Sequence, residues 1–394
     1  MVRKVAIIIE RADAALGGAE RSMFEVAEAL TALGLQVDLL AAKGAANGPN
    51  VHLLCEHVPG RRVSLAVFAR ALKQHLARTD YDLVHSVLPF EFADLYQPRG
   101  GTYAESMLRN VATYRNPLAR FCKRITARAN RRRAELLSAE RKLCQGSRGP
   151  MIAALSQYVA AQFQEHYATD PARIVLTLNG VKLGPRVDSS AVSRLRGQIL
   201  DGLGVAESEK PVLFLFAAHN FRLKGLDRLI EALRIVREHR TERPAHVVVV
   251  GTGIPSSQRL ARRLGVDKHI LFLGATSDLR NVLALSDVGI LPTFCDASSR
   301  FILEALAAGK PVITTRFNGA TDHFIDGRHG KVIDAPDNIR ALAEAIRHFT
   351  TTANLDAAGR AIRQDDLARW ISVERVAKDL LGVYDSILAR KEHP

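Results

Sequence analysis

The sequence predicts an α/β protein of two doubly wound domains, each built on a parallel β-sheet. The chain of 394 residues is long for one hydrophobic core and comfortable for two. Strand-sized apolar segments alternate with segments of helical periodicity in two separate series. Because parallel neighbouring strands need a crossover between them, this alternation predicts parallel sheets covered by helices. The expected boundaries are 1–180 for the first domain, 181–209 for a linker, 210–370 for the second domain and 371–394 for a C-terminal crossover helix.

The first series begins with a strand over Val5–Ile9, a loop that ends at Gly17-Gly18, and a helix with apolar residues at Phe24, Ala27 and Leu30. The predicted elements that follow are a strand near Val37–Leu40, a helix from Ser64 to about Leu76, strands over Leu83–Val87 and Met151–Leu155, a helix from Gln157 to about Tyr167 and a strand over Ile174–Leu176.

The second series repeats the same alternation. Its predicted strands are Val212–Ala218, Val247–Val250, Ile270–Leu273, Val288–Leu291 and Val312–Thr315, and its predicted helices are Leu226–Val236, Gln258–Leu264, Asp278–Leu285 and the apolar run Phe301–Ala308. A last helical pattern covers Val373–Leu388, which is placed to cross back onto the first domain.

Composition favours a soluble, cytoplasmic protein. Hydrophobic residues make up 47% of the chain and charged residues 24%. No apolar run approaches the roughly 18 residues of a membrane span, and Val5–Ile9 is too short for the apolar region of a signal peptide. The four cysteines lack paired spacing for zinc or redox chemistry, so we expect isolated thiols.

The positive charge is concentrated in one segment. The net charge is +14, and residues 109–148 hold twelve Lys and Arg against two Glu. Asn116-Pro117 predicts a helix start, with Leu118, Phe121 and Ile125 on one face and most of the cations around the other. A basic amphipathic helix is typical of membrane-surface elements, so we expect 116–133 to bind an anionic membrane; a solvated charged helix is the alternative.

One carboxylate is out of place in the second series. Glu304 is the only residue of the run Phe301–Ala308 that is not apolar. Ser298 is a plausible helix N-cap, and Gly309 with Pro311 marks the helix end. A buried Glu must be paired, hydrogen-bonded or neutral. Glu304 is therefore either a satisfied core residue or the partner of ligand hydroxyl groups near a helix N-terminus, where phosphate is also favoured.

Other polar residues of the second series follow the carboxyl ends of predicted strands, where ligands of doubly wound sheets bind. They are His219, the Gly251–Gly253 turn and Asp296–Ser299. Arg222 and Lys224, just before a helix, are cations suited to a diphosphate. The dinucleotide-binding and P-loop glycine patterns are absent, and nothing in the sequence requires a metal.

These residues resemble the retaining family-4 glycosyltransferases of the GT-B fold. Asp296, seven residues and Glu304, followed by "EALAAGKPVITT", resemble that family's E-x7-E region, and "GGAER", "LNGV" and "FRLKGLDRLIEAL" resemble its other landmarks. Within the family, "ADLYQPRGGTYAES" and "FQEHYATDPARIVLTLNGV" are similar to the lipopolysaccharide core glycosyltransferase I group. The resemblance implies two Rossmann-like domains that face each other across a cleft.

The resemblance also implies roles. The catalytic residues are Asp296, facing the donor sugar, and Lys224 and Arg222, neutralising the diphosphate. The donor-binding residues are Glu304 at the ribose hydroxyls, with Ser298, Ser299, Gly17, Gly18, His219, Gly253 and Leu273. His85 and Asp94 are assigned to the acceptor, although His85 is as well explained as a structural histidine. A nucleotide diphosphosugar is the co-substrate, and no cofactor or metal is implied.

The expected reaction moves a hexose, glucose from UDP-glucose, to a lipopolysaccharide-core or similar glycolipid at the inner face of the cytoplasmic membrane. The chain departs from the family in having Asp296 for Glu, Ser299 for Gly and Arg300 at an apolar position. The alternatives are another donor (UDP-GlcNAc or GDP-mannose), a non-catalytic nucleotide-sugar-binding homologue, and a nucleic-acid-binding protein. The last is disfavoured because aromatic residues are only 6% of the chain.

Overall fold

The computed structural model describes residues 2–15, 17–45, 48–60, 62–146, 149–184, 187–276 and 278–392. Arg148 and the side chain of Arg128, both in the basic segment, lie outside this description. The chain divides into two compact units. The first comprises Met1–Lys182 and Ser372–Pro394, and the second Leu183–Ile371.

The first unit contains a parallel sheet in the order β3-β2-β1-β4-β5-β6-β7. Its strands are β1 (Lys4–Ala12), β2 (Gln36–Gly44), β3 (Val51–Leu53), β4 (Leu83–Ser86), β5 (Leu95–Tyr96), β6 (Met151–Ala154) and β7 (Ile174–Leu176). Its helices are α1 (Gly18–Ala32), α2 (Leu65–Leu76), α3 (Tyr103–Ala112), α4 (Pro117–Ala129), α5 (Arg131–Cys144) and α6 (Gln157–Tyr167), with α15 (Val373–Glu392) at the end of the chain. The central strand β1 is buried on both faces over its apolar residues Val5–Ile9, as an unbroken apolar run requires.

The predicted C-terminal crossover helix is confirmed. Apolar residues of α15, among them Leu380 and Tyr384, pack into the same core as Ile7 of β1 and Leu30 of α1. The Arg375 guanidinium also donates to the backbone carbonyl of Leu178, at 2.7 Å. The last helix of the chain therefore completes the core of the first unit.

The second unit contains a parallel sheet in the order β10-β9-β8-β11-β12-β13. Its strands are β8 (Val212–Ala217), β9 (Ala245–Val250), β10 (Ile270–Gly274), β11 (Val288–Leu291), β12 (Val312–Thr315) and β13 (Gly330–Ile333). Its helices are α7 (Ser189–Leu203), α8 (Leu226–Arg237), α9 (Ile254–Arg263), α10 (Leu279–Leu285), α11 (Arg300–Ala307), α12 (Ile339–Phe349), α13 (Thr352–Gln364) and α14 (Leu367–Ile371).

Several elements differ from expectation. The stretch 181–209, expected to be a linker, contains α7, whose N-cap is Asp188 and whose C-cap is the left-handed Gly204. The N-cap of α11 is Ser299, one residue after the predicted Ser298. The strands β3, β5 and β13 were not predicted. They have three, two and four residues, which is too short for a clear strand periodicity. The helix start at Asn116-Pro117 is confirmed, since the Asn116 side chain accepts from the N–H of Leu118. The expected basic helix over 116–133 is not continuous, because α4 ends at Ala129 and Asn130 caps the start of α5.

Candidate active site

The loop after β8 is held against the loop after β11 by close backbone packing. Gly225, the N-cap of α8, has a φ of 81°, which favours glycine. A Cβ at this position would lie 2.0 Å from the carbonyl oxygen of Pro292. The N–H of Phe294 donates to the carbonyl of Leu223, at 2.9 Å. Glycine at 225 therefore lets the two loops meet at the carboxyl edge of the sheet.

This packing brings Lys224 and Asp296 into direct contact. The Lys224 Nζ lies 2.5 Å from Asp296 Oδ2 and donates to the carbonyl of Cys295, at 3.1 Å. Both side chains are partly shielded, with exposed fractions of 21% and 18%. Shielding from water strengthens an ion pair and fixes its geometry. The two residues form a polarised pair at the edge where ligands of such sheets bind.

Asn318 organises the start of α11. Its side-chain oxygen accepts the N–H of Ser299, at 3.0 Å, and its amide donates to Thr314 Oγ1, at 2.9 Å. Asn318 is fully buried. The residues on each side of it form backbone hydrogen bonds with Asp296: the N–H of Asp296 donates to the carbonyl of Phe317, and the N–H of Gly319 donates to the carbonyl of Asp296. Asn318 thus ties the α11 N-terminus and Asp296 to the loop after β12. The sequence analysis missed this residue.

Glu304 does not lie in the core. Five of the eight α11 residues are buried, but the Glu304 side chain is 24% exposed and faces Arg300, whose Nη2 is 3.4 Å from Glu304 Oε1. Arg300 is the first residue of the helix. The partly exposed carboxylate therefore lies one turn after the start of α11, beside an arginine.

The remaining predicted residues of the second unit surround the same strand ends. Arg222 and His219 are exposed in the loop after β8, and Ser298 is buried next to the α11 N-cap. Gly253, with a φ of 94°, is the N-cap of α9. Leu273 is half-buried in β10, one residue before that strand ends.

Gly17 and Gly18 lie at the start of α1, in the first unit. Gly17 is the N-cap, with an extended φ of 170° that any residue adopts, and Gly18 is the first helical residue. Their backbone conformation therefore does not by itself require glycine. A Cβ on Gly17 would approach Glu20 Oε2 to 3.4 Å, which is ordinary contact at its lower limit.

The two acceptor candidates are engaged in structural contacts. His85 is fully buried, and its Nδ1 lies 2.7 Å from the Tyr384 hydroxyl of α15. Burial and the nearby Arg99 charge lower the pKa of His85 to about 3, so its ring is neutral at physiological pH. Asp94 precedes β5 at the amino edge of the sheet, where its carboxylate accepts the N–H of Val84 and pairs with Lys391. These contacts stabilise the fold of the first unit.

Two family models match the chain on either side of its middle. The model described as "Glycosyltransferase Family 4" matches residues 16–184, and the one described as "Glycosyl transferases group 1" matches residues 210–352. Together they span most of both units. The chain belongs to glycosyltransferase family 4. Asp296, Lys224 and Glu304 lie within the second match, and Gly17-Gly18 within the first.

Among curated proteins, this family-4 chain is similar to lipopolysaccharide glucosyltransferase WaaG of Escherichia coli K12. The two are 27% identical over 350 residues, which is 87% of this chain and 88% of WaaG. The chain is also 24% identical to D-inositol 3-phosphate glycosyltransferase of Salinispora tropica, over 95% of this chain and 82% of that protein.

Solved structures establish the GT-B fold for the whole chain. The crystal structure of WaaG has a TM-score of 0.72 at 23% identity, covering 97% of this chain and 99% of that one. Sucrose-phosphate synthase of Thermosynechococcus elongatus has a TM-score of 0.76 at 18% identity, covering 98% and 100%. Anabaena Alr3699/HepE in complex with UDP-glucose has a TM-score of 0.67 at 17% identity, covering 97% and 99%.

The described part of the chain contains neither a membrane-spanning helix nor a cluster of metal-ligand side chains. None of its helices is long and apolar enough to cross a membrane. Within the same ranges, no three or more His, Cys, Asp or Glu side chains are grouped as metal ligands would be.

Proposed function

We propose that this family-4 protein is a retaining glycosyltransferase that moves a hexose, glucose from UDP-glucose, onto a lipopolysaccharide-core or similar glycolipid. The observation that carries the proposal is the contact between Lys224 and Asp296, with Glu304 partly exposed on the helix that follows. A cation, a carboxylate facing the sugar and a carboxylate for the ribose are what a nucleotide diphosphosugar requires. The similar WaaG is named a lipopolysaccharide glucosyltransferase, and HepE was solved with UDP-glucose.

The proposed reaction breaks the bond between the anomeric carbon and the diphosphate oxygen. The acceptor hydroxyl forms its bond to the anomeric carbon on the same face, and its proton passes to the leaving phosphate oxygen. No protein nucleophile is needed, so catalysis consists of stabilising the negative charge that develops on the diphosphate. Lys224 and Arg222 supply positive charge, and the α11 N-terminus adds the positive end of its dipole.

Asp296 sets where the Lys224 ammonium lies before the donor binds. The carboxylate holds the Nζ at 2.5 Å, so little reorganisation is needed when phosphate oxygens arrive. Asp is one methylene shorter than the Glu usual in the family, and the lysine reaches it directly. Glu304 accepts hydrogen bonds from the ribose hydroxyls. The other proposed donor-binding residues are Ser298, Ser299, His219, Gly253, Leu273, Gly17 and Gly18.

Helix α4 is proposed as the membrane-binding element. Three apolar side chains are largely exposed, Leu118 at 69%, Phe121 at 62% and Ile125 at 54%. No α4 side chain that the structure describes is buried. An apolar face beside a row of cations suits the interface of an anionic membrane. We therefore propose a peripheral location on the inner face of the cytoplasmic membrane.

The helices on either side of α4 are anchored to the first unit. In α5, Glu140 accepts from the hydroxyl groups of Tyr96 and Tyr167, at 2.8 and 2.6 Å. In α3, Glu105 accepts from the Tyr158 hydroxyl and contacts His166 Nε2, both at 2.8 Å. Each carboxylate fixes its helix to the body of the first unit, so both ends of α4 are held while its apolar face remains open.

A second candidate is transfer to a phosphorylated small molecule, or use of another donor such as UDP-GlcNAc or GDP-mannose. The similarity to D-inositol 3-phosphate glycosyltransferases favours this candidate.

A screen of labelled UDP-, GDP- and ADP-sugars for nucleoside diphosphate release, with and without glycolipid, tests the proposal. We expect release from UDP-glucose, accelerated by glycolipid. Binding of a donor without any turnover would indicate a non-catalytic homologue, and no binding at all would refute the proposed donor site.

A further inference from the structure

The N-terminus of α11 is bound by a side chain from another part of the chain. Ser299 is the N-cap, and its own side chain makes no capping hydrogen bond to the described residues. Its N–H donates instead to the side-chain oxygen of Asn318, 19 residues further along, at 3.0 Å. In a capping box, the third residue of the helix itself binds this N–H. A cap from within the helix stabilises the helix alone, whereas the bond to Asn318 also fixes where the helix begins relative to the loop after β12.

Hydrogen bonding determines the orientation of the Asn318 amide. Its oxygen accepts a second N–H, that of Ala320, at 3.1 Å, so its nitrogen must face the other way. There the nitrogen donates to Thr314 Oγ1 of β12, at 2.9 Å. Thr314 Oγ1 donates in turn to the carbonyl of Leu291, the last residue of β11, at 2.8 Å. The side chain of Asn318 thus connects the start of α11 to both β12 and β11.

The backbone around Asn318 holds Asp296. The N–H of Asp296 donates to the carbonyl of Phe317, at 2.9 Å, and the N–H of Gly319 donates to the carbonyl of Asp296, at 3.0 Å. These bonds form an isolated parallel bridge between residues 296 and 318. The Asp296 carboxylate contacts the Lys224 ammonium. One buried residue therefore fixes both the start of α11 and the backbone from which Asp296 reaches Lys224.

We propose that Asn318 is a positioning residue that keeps Asp296 and the α11 N-terminus in a fixed mutual arrangement. This inference rests on the proposed function, in which Lys224, held by Asp296, acts on the leaving diphosphate together with the α11 N-terminus. Asn318 is fully buried, so it acts through the groups that it holds and not through contact with the donor. A displacement of about 1 Å of such groups can cost about 10²-fold in rate.

The alternative is that Asn318 only stabilises the second unit. The two roles differ in how the loss of Asn318 depends on Lys224. A residue that positions Lys224 through Asp296 matters to turnover only while Lys224 is present. A residue that only stabilises the fold changes turnover by the same factor with or without Lys224, because its effect is independent of that side chain.

The experiment measures release of nucleoside diphosphate from UDP-glucose, with GDP- and ADP-sugars as the other arms. It compares the wild type, Asn318→Ala, Lys224→Ala and the double variant. Asn318→Ala should lower kcat by about 10- to 100-fold and raise KM by less. In the Lys224→Ala background the same change should lower kcat by less than about threefold. Asn338→Ala is the matched control, because Asn338 caps α12 through the N–H of Ala341 and should change kcat in neither background.

Several outcomes would overturn the inference. A kcat of Asn318→Ala equal to that of the wild type would make the amide merely structural. An equal loss of kcat with and without Lys224 would show that Asn318 does not act through that residue. If thermal unfolding shows that Asn318→Ala does not fold, Thr314→Val decides, because it removes the anchor of the amide on β12, and an unchanged kcat there would contradict the role. A wild type that turns over none of these donors would refute the proposed function itself, which is a different failure from one confined to Asn318.

Discussion

The Lys224 Nζ contacts Asp296 Oδ2 at 2.5 Å across 72 residues of chain. Each residue follows a strand of the same parallel sheet, β8 for Lys224 and β11 for Asp296. The close approach of Gly225 to Pro292 holds the two loops together, and the same packing brings Lys224 next to Asp296.

Replacing Lys224 by Ala should reduce turnover much more than donor affinity. The ammonium is expected to stabilise charge that develops on the leaving diphosphate, and removal of one such group typically costs about 10²–10³ in kcat. Steady-state kinetics with the active donor measure kcat and KM separately. Lys268→Ala, at an exposed lysine of the same unit, is the matched control and should change neither. An equal loss in binding and turnover would contradict the proposed role.

Replacing Gly225 by Ala should destabilise the second unit by about 3 kcal/mol or more, through left-handed backbone strain and overlap with the Pro292 carbonyl. Gly204→Ala is the control, because that glycine has a φ of 66° but nothing within 4 Å of its Cβ position. It should cost only about 1–2 kcal/mol of strain. Denaturant unfolding measures both variants. Equal losses would show that the contact with Pro292 is not tight.

The stability of the first unit should depend on the protonation of Glu140. Burial raises the pKa of this carboxyl from 4.5 to about 7, against the opposing effect of its hydrogen bonds from Tyr167 and Tyr96. The native state then binds more protons than the unfolded state between those values, so the contribution of Glu140 to stability falls as pH rises from about 4.5 to about 7 and is constant above. The free energy of unfolding of the wild type, minus that of Glu140→Gln, should follow this course. A difference that is flat over this range would contradict it.

Helix α4 should bind anionic vesicles in a salt-dependent manner. Each cation near an anionic leaflet contributes roughly 1 kcal/mol, so replacing Lys123 and Arg124 of α4 together with Arg131, the first residue of α5, by Gln should weaken binding about a hundredfold. Co-sedimentation with anionic and with neutral vesicles measures this, and donor binding should be unchanged. Replacing three arginines of α9 by Gln (Arg259, Arg262 and Arg263) is the matched control. A wild type that ignores anionic vesicles at low salt would refute the membrane proposal.

The sequence predicted the two sheets and much of the second unit's candidate site because both rest on local patterns. Strand and helix periodicities mark elements such as β8 and α8, and parallel sheets place all strand carboxyl ends at one edge. Lys224 and Asp296 were therefore expected near each other despite their separation in the chain. The basic face and the apolar face of α4 were likewise readable from their spacing alone.

Other features have no local signal. The role of Asn318 depends on contacts with Ser299 and Thr314, which only the folded chain brings together. Asp94 lies in a segment that resembles the family and His85 in a predicted strand, but their contacts with α15 are tertiary facts. The helix α7 was missed because glycine, proline and serine near its ends resemble a linker. The Arg300–Glu304 contact needed side-chain positions that a pattern of residues does not give.

The most direct test of the account is transfer itself, measured with the donor that the screen selects and a glycolipid acceptor. Product isolated after reaction of the wild type should carry the hexose with the anomeric configuration of the donor, determined by NMR, and Lys224→Ala should form the same product far more slowly. A product of inverted configuration would contradict the same-face mechanism. Donor consumption that proceeds equally fast in Lys224→Ala would contradict the site on which the account rests.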